Sequence, residues 1–309
     1  MNNLKMIYSK QQNKSCNLQK FSIIIPTWNN LEMLKFCIES IRKNSTFNHQ
    51  IIIHINEGSD GTLEWVQSQN DVDYTHTQSN IGVCYALNLA RSLVATDYIL
   101  YLNDDMYVCP NWDKTFDNEI NNLDNNLFFF SGVLIEPYES TLGSINQNFG
   151  TSPTDFEEDK LLKFIEILPK TDKNGAMYPP NIIHRDLWDL VGGYSTEYSP
   201  GMGSDPDFVA KLWIAGVKNF KMLGNCPVYH FGKKTTDRIK HNPARKTFLL
   251  KYGHTFRTLR KTINYGTPVN QADKNHKVNI SNGRILLDRL KILLCVVKDL
   301  FTQKSVFFK

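Results

Sequence analysis

The sequence predicts an α/β fold built on a single, mostly parallel central sheet flanked by helices, with a C-terminal helical extension. Three observations carry that expectation. Short β-branched runs alternate with amphipathic helical patterns about every 25 to 30 residues, the rhythm of βαβ units joined by right-handed crossovers. The pair Asp104-Asp105 follows the apolar run Tyr98-Ile99-Leu100-Tyr101-Leu102, and the carboxyl end of a buried strand is where open α/β sheets bind ligands. At 309 residues, 41% hydrophobic and 21% charged, the chain has an ordinary globular composition and the length of one large domain with an appendage.

In chain order, a leader rich in Asn, Gln and Lys precedes Phe21-Ser22-Ile23-Ile24-Ile25, a short run stopped by Pro26 as a buried parallel strand would be. Leu31, Leu34, Cys37, Ile38 and Ile41 then share one face of a helix. Residues 50–55 read as the next strand, 56–61 as a turn, and Leu63, Trp65 and Val66 as part of a short helix. A strand near Asp73-Tyr74-Thr75 leads to a helix over 81–93 and then to the acidic strand end, with a helix near Pro110 and a further strand at Leu127-Phe128-Phe129-Phe130. The Ser, Thr, Asn, Gly and Pro content of 136–156 predicts a long loop of the kind that forms lids or binding segments. Helices are expected over 157–167, 185–191 and 205–215, and two short strands around Phe220 and Val228 close the domain. The expected organisation is a polar leader over 1–19, a catalytic-sized α/β domain over 20–262, and a linker with an amphipathic helix over 263–309.

A formal net charge of +4 is modest, and no face before residue 233 concentrates basic charge as a strong nucleic-acid binder would. Cys16, Cys37, Cys84, Cys109, Cys226 and Cys295 show neither a C-x-x-C pair nor metal-ligand spacing. The first twenty residues hold no signal-peptide block, and no uncharged apolar stretch approaches the roughly 18 to 20 residues that cross a bilayer. A cytoplasmic location without a nucleic-acid partner is expected. Near the C-terminus, Leu286, Leu287, Leu290, Leu293, Leu294, Val297 and Phe301 recur at helical spacing among Arg284, Arg289, Lys291, Lys298 and Lys304. That pattern reads in two ways: a helix lying at the inner face of a membrane with anionic headgroups, or a helix packing on the domain or on a second subunit.

Hard divalent cations take oxygen ligands and keep positions open for phosphates, so Asp104 and Asp105 are candidate metal ligands. Taken alone the pair reads first as a turn or helix cap. The surrounding blocks, in order, are more specific. Ile23-Ile24-Ile25-Pro26-Thr27-Trp28-Asn29-Asn30 resembles the opening strand and turn of the family 2 glycosyltransferases, the inverting enzymes of the GT-A fold. Asn56-Glu57-Gly58-Ser59-Asp60-Gly61-Thr62 is similar to their "DDGSxDGT" segment with one residue fewer, Asn80-Ile81-Gly82 with Asn88 to "NxG…N", and Leu102-Asn103-Asp104-Asp105 to "LDDD". Gly192-Gly193-Tyr194-Ser195 resembles "GGFD", Ser204-Asp205-Pro206-Asp207 resembles "EDxD", and Val228-Tyr229-His230 carries the late histidine. The resemblance covers residues 20–232 and implies a GT-A, nucleotide-diphospho-sugar transferase fold.

It also implies a chemistry: transfer of a sugar from a nucleotide-diphosphate donor to a hydroxyl acceptor, with a divalent metal, Mn²⁺ or Mg²⁺, neutralising the departing diphosphate. By resemblance Asp105 is the main metal ligand, joined by His230, and Asp104 assists or contacts the ribose; Lys233 and Lys234 add charge nearby. Pro26, Thr27, Asn29, Asn80, Gly82 and Asn88 fall to nucleotide-sugar binding, with Gly82 letting backbone approach the nucleotide because it lacks a Cβ. Glu57 stands where the family carries a carboxylate for the base, one methylene longer here, and the base identity stays open. Asp205 matches the family's general base, with Asp207 the neighbouring candidate; both positions also suit the first turn of a helix. Departures are Asn103 for the first Asp of "LDDD", Leu87 where Arg is frequent, and Ser204 for the usual Glu.

Two other classes compete. A nucleotidyltransferase would need a glycine-rich phosphate loop after its first strand, which Pro26-Thr27-Trp28-Asn29 is not, and a dehydrogenase would need G-x-G-x-x-G. A non-catalytic nucleotide-sugar-binding protein of the same fold is supported by Asn103, Leu87 and Ser204 and opposed by Asp105, Asp205 and His230. A cell-surface glycan or glycolipid intermediate is the acceptor class that the resemblance implies.

Overall fold

The computed structural model describes residues 7–11, 18–138, 142–232, 242–269 and 280–302. From edge to edge its sheet runs β1 (Ile7–Lys10), β4 (Val72–Thr77), β3 (Gln50–Asn56), β2 (Ser22–Trp28), β5 (Tyr98–Tyr101), β10 (Asn181–His184), β7 (Phe128–Glu136), β11 (Asn219–His230) and β6 (Met106–Val108). Two short strands lie off this path, β8 (Ile145–Asn146) beside β7 and β9 (Lys173–Asn174) beside β11. Strands β2, β3, β4, β5, β7 and β11 point the same way, since β10 runs antiparallel to both β5 and β7. Their carboxyl ends therefore share one edge of the sheet.

Period-two alternation gives each strand two apolar faces. Ile23 and Ile25 of β2, with Ile51, Ile53 and Ile55 of β3, enter one core, while Ile24 and Ile52 enter the other. The first core is roofed by α1 (Leu31–Asn44), α2 (Thr62–Ser68) and α4 (Trp112–Asn121), through Leu34, Cys37, Ile38, Val66 and Phe116. The second is closed by α3 (Val83–Ala90), α6 (Arg185–Leu190), α7 (Ser204–Ile214), α8 (Ala244–Tyr252) and α9 (Phe256–Thr262), through Leu87, Trp188, Phe208, Phe248 and Leu259. Burial on both faces is why these strands read as continuous apolar runs, each fully buried isoleucine contributing about 1.5–3 kcal/mol. A third, aromatic cluster of Phe149, Phe156, Tyr107, Tyr229 and Phe231 pins the 145–157 stretch and α5 (Glu158–Ile167) beside the carboxyl edge.

Several expected boundaries move. β2 does not stop at Pro26 but continues to Trp28, paired with β3 throughout. Ile24 O faces β5, accepting from Leu102 N at 3.1 Å, so alternation turns residue 26 toward the same side, beyond the last β2–β5 pair at Ile24. The N–H that proline lacks has no ladder partner to lose there. The two short strands expected around Phe220 and Val228 are one strand, β11, whose register against β7 shifts between Met222 and Pro227. A bulge absorbs the irregularity that the sequence signals as a break. Within the expected polar leader, β1 adds an antiparallel edge to β4. The helix expected over 81–93 is shorter, α3 giving way to a 3₁₀ turn at Arg91–Leu93. Lys233, Lys234 and Lys304 lie outside the described residues.

Candidate active site

The carboxyl edge gathers most of the residues that the sequence singles out. Asp104 and Asp105 follow β5 in a tight turn and are almost buried, at 8% and 7% exposure. Thr27 Oγ1, at the end of β2, donates to Asp104 Oδ2 at 2.6 Å. β6 starts immediately after Asp105 and pairs antiparallel with the end of β11, placing Met106 opposite His230. Phe231 N donates to Asp105 O at 3.0 Å, and His230 Nε2 stands 3.3 Å from Asp105 Oδ1. Residues 125 positions apart are thus joined by a strand turning back on itself.

On its other nitrogen, His230 Nδ1 lies 2.6 Å from Glu136 Oε1. Glu136 ends β7, fully buried, where the β7–β11 register sets it beside His230. Burial alone would lower the imidazole's pKa, but Asp105 and Glu136 override it and raise it to about 10, so both ring nitrogens donate. The sequence reading ends this strand at Phe130 and gives Glu136 to the expected 136–156 loop, with no role; the structure carries β7 through to Glu136, its pairing with β11 continuing to Ile135. The signal that finds it is the one that found Asp104: a carboxylate closing an apolar strand.

Around β2 and β3 the polar side chains mostly hold one another. Asn29 Oδ1 accepts from Gly58 N and Ser59 N, both at 3.0 Å, and its Nδ2 donates to Glu57 Oε2 and Ser59 Oγ, both at 3.1 Å. Asn29 therefore shapes the turn after β3. Glu57 sits at φ 62°, a left-handed conformation uncommon for a glutamate, with its carbonyl accepting from His76 Nε2 at 2.9 Å. Asn80 Oδ1 accepts from Gly82 N at 2.8 Å and closes the turn into α3. Asp60, unassigned in the sequence, accepts from Leu31 N at 2.9 Å and Thr62 N at 3.1 Å, satisfying the first backbone donors of α1 and α2 together.

Gly82 packs against a segment far along the chain. A Cβ there would stand 2.6 Å from Pro200 Cα, and Val83 N donates to Pro200 O at 2.9 Å, so the missing side chain admits the 199–203 run that leads to Asp205. Asn88 is likewise occupied: its Nδ2 donates to Tyr194 O at 2.7 Å and its Oδ1 accepts from Tyr194 N at 2.8 Å. Those two bonds tie the amide to the backbone of the Gly192-Gly193-Tyr194 turn, and Gly193, at φ 61°, leaves the room for it. Lys211 of α7 holds the same turn by donating to the carbonyls of Val191 and Gly193.

α7 presents Asp205 and Asp207 in its first turn with opposite fates. Asp207 is fully buried and locked, its Oδ1 accepting from Lys251 Nζ at 2.8 Å and Tyr252 OH at 2.7 Å. Asp205 is partly exposed and accepts from Tyr194 OH at 3.3 Å. Burial pushes its carboxyl up to about 7, against a smaller opposite pull from that hydroxyl. The Tyr101 phenol, at the end of β5, is raised well above its ordinary value by burial, then by Asp205, Cys84, Asp105 and Asp104. One phenol thus feels both the strand-end carboxylates and Asp205. Among the described residues no three His, Cys, Asp or Glu side chains are grouped to hold a metal ion. Asp105 and His230 converge as a pair, and Pro26 lies within β2.

A parallel sheet crossed by an antiparallel β10, with an acidic turn after β5 and the ligand edge at its strand ends, is the GT-A architecture. Residues 22–178, just over half the chain, match glycosyl transferase family 2, and the chain belongs to that family. Its fold is similar to the crystal structure of S. aureus TarS 1-349 (TM-score 0.55, 13% identity, covering 93% of this chain and 76% of that one). The same protein in complex with UDP-GlcNAc matches with TM-score 0.56 and 12% identity, over 89% of this chain and 72% of that one. GalNAc-T7 with UDP, GalNAc and Mn²⁺ matches with TM-score 0.56 and 12% identity over 94% of this chain, which spans 58% of that protein. None of the curated proteins matches this sequence significantly. Family and fold support glycosyltransferase activity on a nucleotide-sugar.

Proposed function

We propose that this protein is an inverting glycosyltransferase that moves a hexose from a nucleotide-diphosphate donor to a hydroxyl of a cell-surface glycan or glycolipid intermediate, at the cytoplasmic side. The observation that carries the reading is the pairing of Asp105 and His230 at the carboxyl edge of the sheet, with Asp205 in the first turn of α7, bonded to Tyr194 and its carboxyl near 7. Donor nucleoside sits along the ends of β2, β3 and β4, against Thr27, Glu57 and the Asn80 turn. Asp104, held by Thr27, faces the ribose. The residues fit a divalent cation shared with a diphosphate: one carboxylate oxygen and one imidazole nitrogen face each other, leaving other positions to the donor. Asp105 and His230 would hold it, the cation taking the place of the proton on His230 Nε2, and when bound it would supply Lewis-acid neutralisation of the leaving diphosphate. Glu136 keeps the His230 ring turned so that Nε2 faces Asp105.

Asp205 acts as the base. The acceptor oxygen forms its bond to the anomeric carbon as the bond to the diphosphate oxygen breaks on the opposite face, and the acceptor proton passes to the Asp205 carboxylate. A carboxyl near 7 is half-ionised at neutral pH and still basic enough to take that proton. Both UDP-bound neighbours make uridine donors the first to try. A thermal-shift panel of UDP-, GDP- and dTDP-sugars, with and without Mn²⁺, tests the reading. Stabilisation by a sugar nucleotide, larger with Mn²⁺, is expected; no stabilisation by any donor would overturn it.

A further inference from the structure

Asn181, the first residue of β10, is 1% exposed, and neither atom of its amide makes a well-formed hydrogen bond among the described residues. A buried amide left in that state costs stability, and an apolar side chain of the same size would remove the cost. Ile182 and Ile183, which follow it, are such side chains. The neighbours of Asn181 give the amide a use. β10 pairs with β5 and β7 at once, so Asn181 stands opposite Tyr101 on one side and Ser131 on the other. Residues paired across strands point to the same face, here the face of the second core, which Tyr101 and Ile183 also enter. Tyr194 meets Tyr101 edge-on with ring centroids 5.9 Å apart, and its hydroxyl donates to Asp205 Oδ1 at 3.3 Å.

Burial, Asp205 and Tyr101 raise the Tyr194 phenol well above its ordinary value, and the Asn181 amide pulls it the other way, as a donor to the phenol oxygen does. Amide, phenol and carboxylate therefore stand in series. A phenol carries one proton and accepts at the same oxygen. With the Asn181 Nδ2 group turned to that oxygen, the proton is left for Asp205, and a hydroxyl that itself accepts a bond is the stronger donor. The contact falls short of a full hydrogen bond, so its effect should be a fraction of that of removing the phenol oxygen itself. The remaining groups about Asp205 offer nothing equivalent. Burial raises Tyr101 of β5, Cys84 of α3 and Tyr178, and Asp205 raises each further, with Arg260 of α9 opposing at Tyr178. Asp207, in the same turn, is held by Lys251 and Tyr252. Among the described residues, Tyr194 alone makes a side-chain hydrogen bond to the Asp205 carboxylate. Taking Asp205 as the base proposed above, we infer that Asn181 is its positioning residue: the amide keeps the Tyr194 hydroxyl turned toward Asp205.

Titration of the Asp205 carboxyl by ¹³C NMR, with aspartate labelled at Cγ and Asp205→Asn identifying the resonance, tests this without any substrate. In Asn181→Leu the midpoint should rise by about 0.3–0.5 unit, a fraction of the shift expected for Tyr194→Phe. In the Tyr194→Phe background the same change should add nothing, since the phenol oxygen through which Asn181 acts is gone. The urea midpoint of Asn181→Leu should hold or rise, because the unsatisfied amide goes with the substitution. Asn181→Val, smaller and β-branched as a strand accepts, carries the same expectations. An Asp205 midpoint that stays put or falls, or a shift that persists without the Tyr194 hydroxyl, would overturn the inference. A lower urea midpoint in both variants with no movement of Asp205 would overturn it in favour of a structural role alone. Donor turnover does not enter the titration, so failure here is distinct from failure of the proposed transfer.

Discussion

Replacing Tyr194 with Phe isolates how the environment of Asp205 sets its basicity. With a carboxyl near 7, about half of the protein carries the carboxylate at pH 7 and about a tenth at pH 6. Wild-type kcat/KM should therefore climb about tenfold per unit below pH 7 and level off above it. Tyr194 OH, 3.3 Å from Oδ1, favours the charged form. A well-formed hydrogen bond to a charged group contributes about 1.5–3 kcal/mol; at this length about 1 kcal/mol is reasonable, or somewhat under one unit of pKa at 1.36 kcal/mol per unit. Phe at 194 keeps the ring stacked on Phe208, whose centroid is 4.5 Å away, so packing is preserved. The acid limb of the variant should move upward by about 0.5–1 unit, activity at pH 7 should fall about threefold, and the alkaline plateau should remain. Nucleoside diphosphate release measured across the pH range, with Asp205→Asn as control, reads this directly. The control should lose at least about a hundredfold in turnover at nearly unchanged donor affinity. A limb that stays put in Tyr194→Phe, or moves down, refutes the reasoning. The stability sign is consistent: a carboxyl raised by folding favours its protonated form, so its contribution is present below about pH 4 and is lost as pH rises through about 7.

Five further variants have expected outcomes. Asp105→Asn should abolish Mn²⁺-dependent stabilisation by UDP while leaving the unliganded melting transition in place; retained metal dependence would move the assignment elsewhere. Glu136→Gln should weaken Mn²⁺ binding about 10- to 100-fold in an EPR titration without nucleotide, and unchanged affinity would reduce Glu136 to a buried partner with no effect on the ring. Lys251→Met strips the buried Asp207 of its cation and should cost about 2–4 kcal/mol in urea unfolding, whereas Asp207→Asn should leave the acid limb of the pH profile unmoved, because that carboxylate is sealed from the cleft. Gly82→Ala forces a side chain into Pro200 at φ 80° and should destabilise by about 1–3 kcal/mol and slow turnover, read by unfolding and initial rates; wild-type values in both would show that the 199–203 run is free to shift.

The sequence alone determined the elements whose signal is local. Runs such as Ile23-Ile24-Ile25 can be buried on both faces only inside a sheet, helix faces such as Leu34, Cys37, Ile38 and Ile41 repeat at 3.6 residues, and the acidic turn after β5 announces a ligand edge. Family motifs added Asp205 and His230. What pairs with these residues was decided by the tertiary structure, because pairing depends on strand order and register, which no local period encodes. Glu136 meets His230 since β7 and β11 are parallel neighbours, and Asp105 meets it since β6 folds back on β11. The resemblance already prefers Asp205 to Asp207; what the tertiary structure adds is their different surroundings, since both sit in the same helical turn and Lys251 and Tyr252 of α8 engage Asp207. Asn88 and Gly82 match a motif in sequence, yet their neighbours are the Tyr194 backbone and Pro200, more than a hundred residues away. The periodicity of α10 (Asn282–Thr302) revealed an apolar stripe, but a helix alone is free to rotate about its axis; burial of Asp288 against α9 sets that rotation and turns the leucines outward.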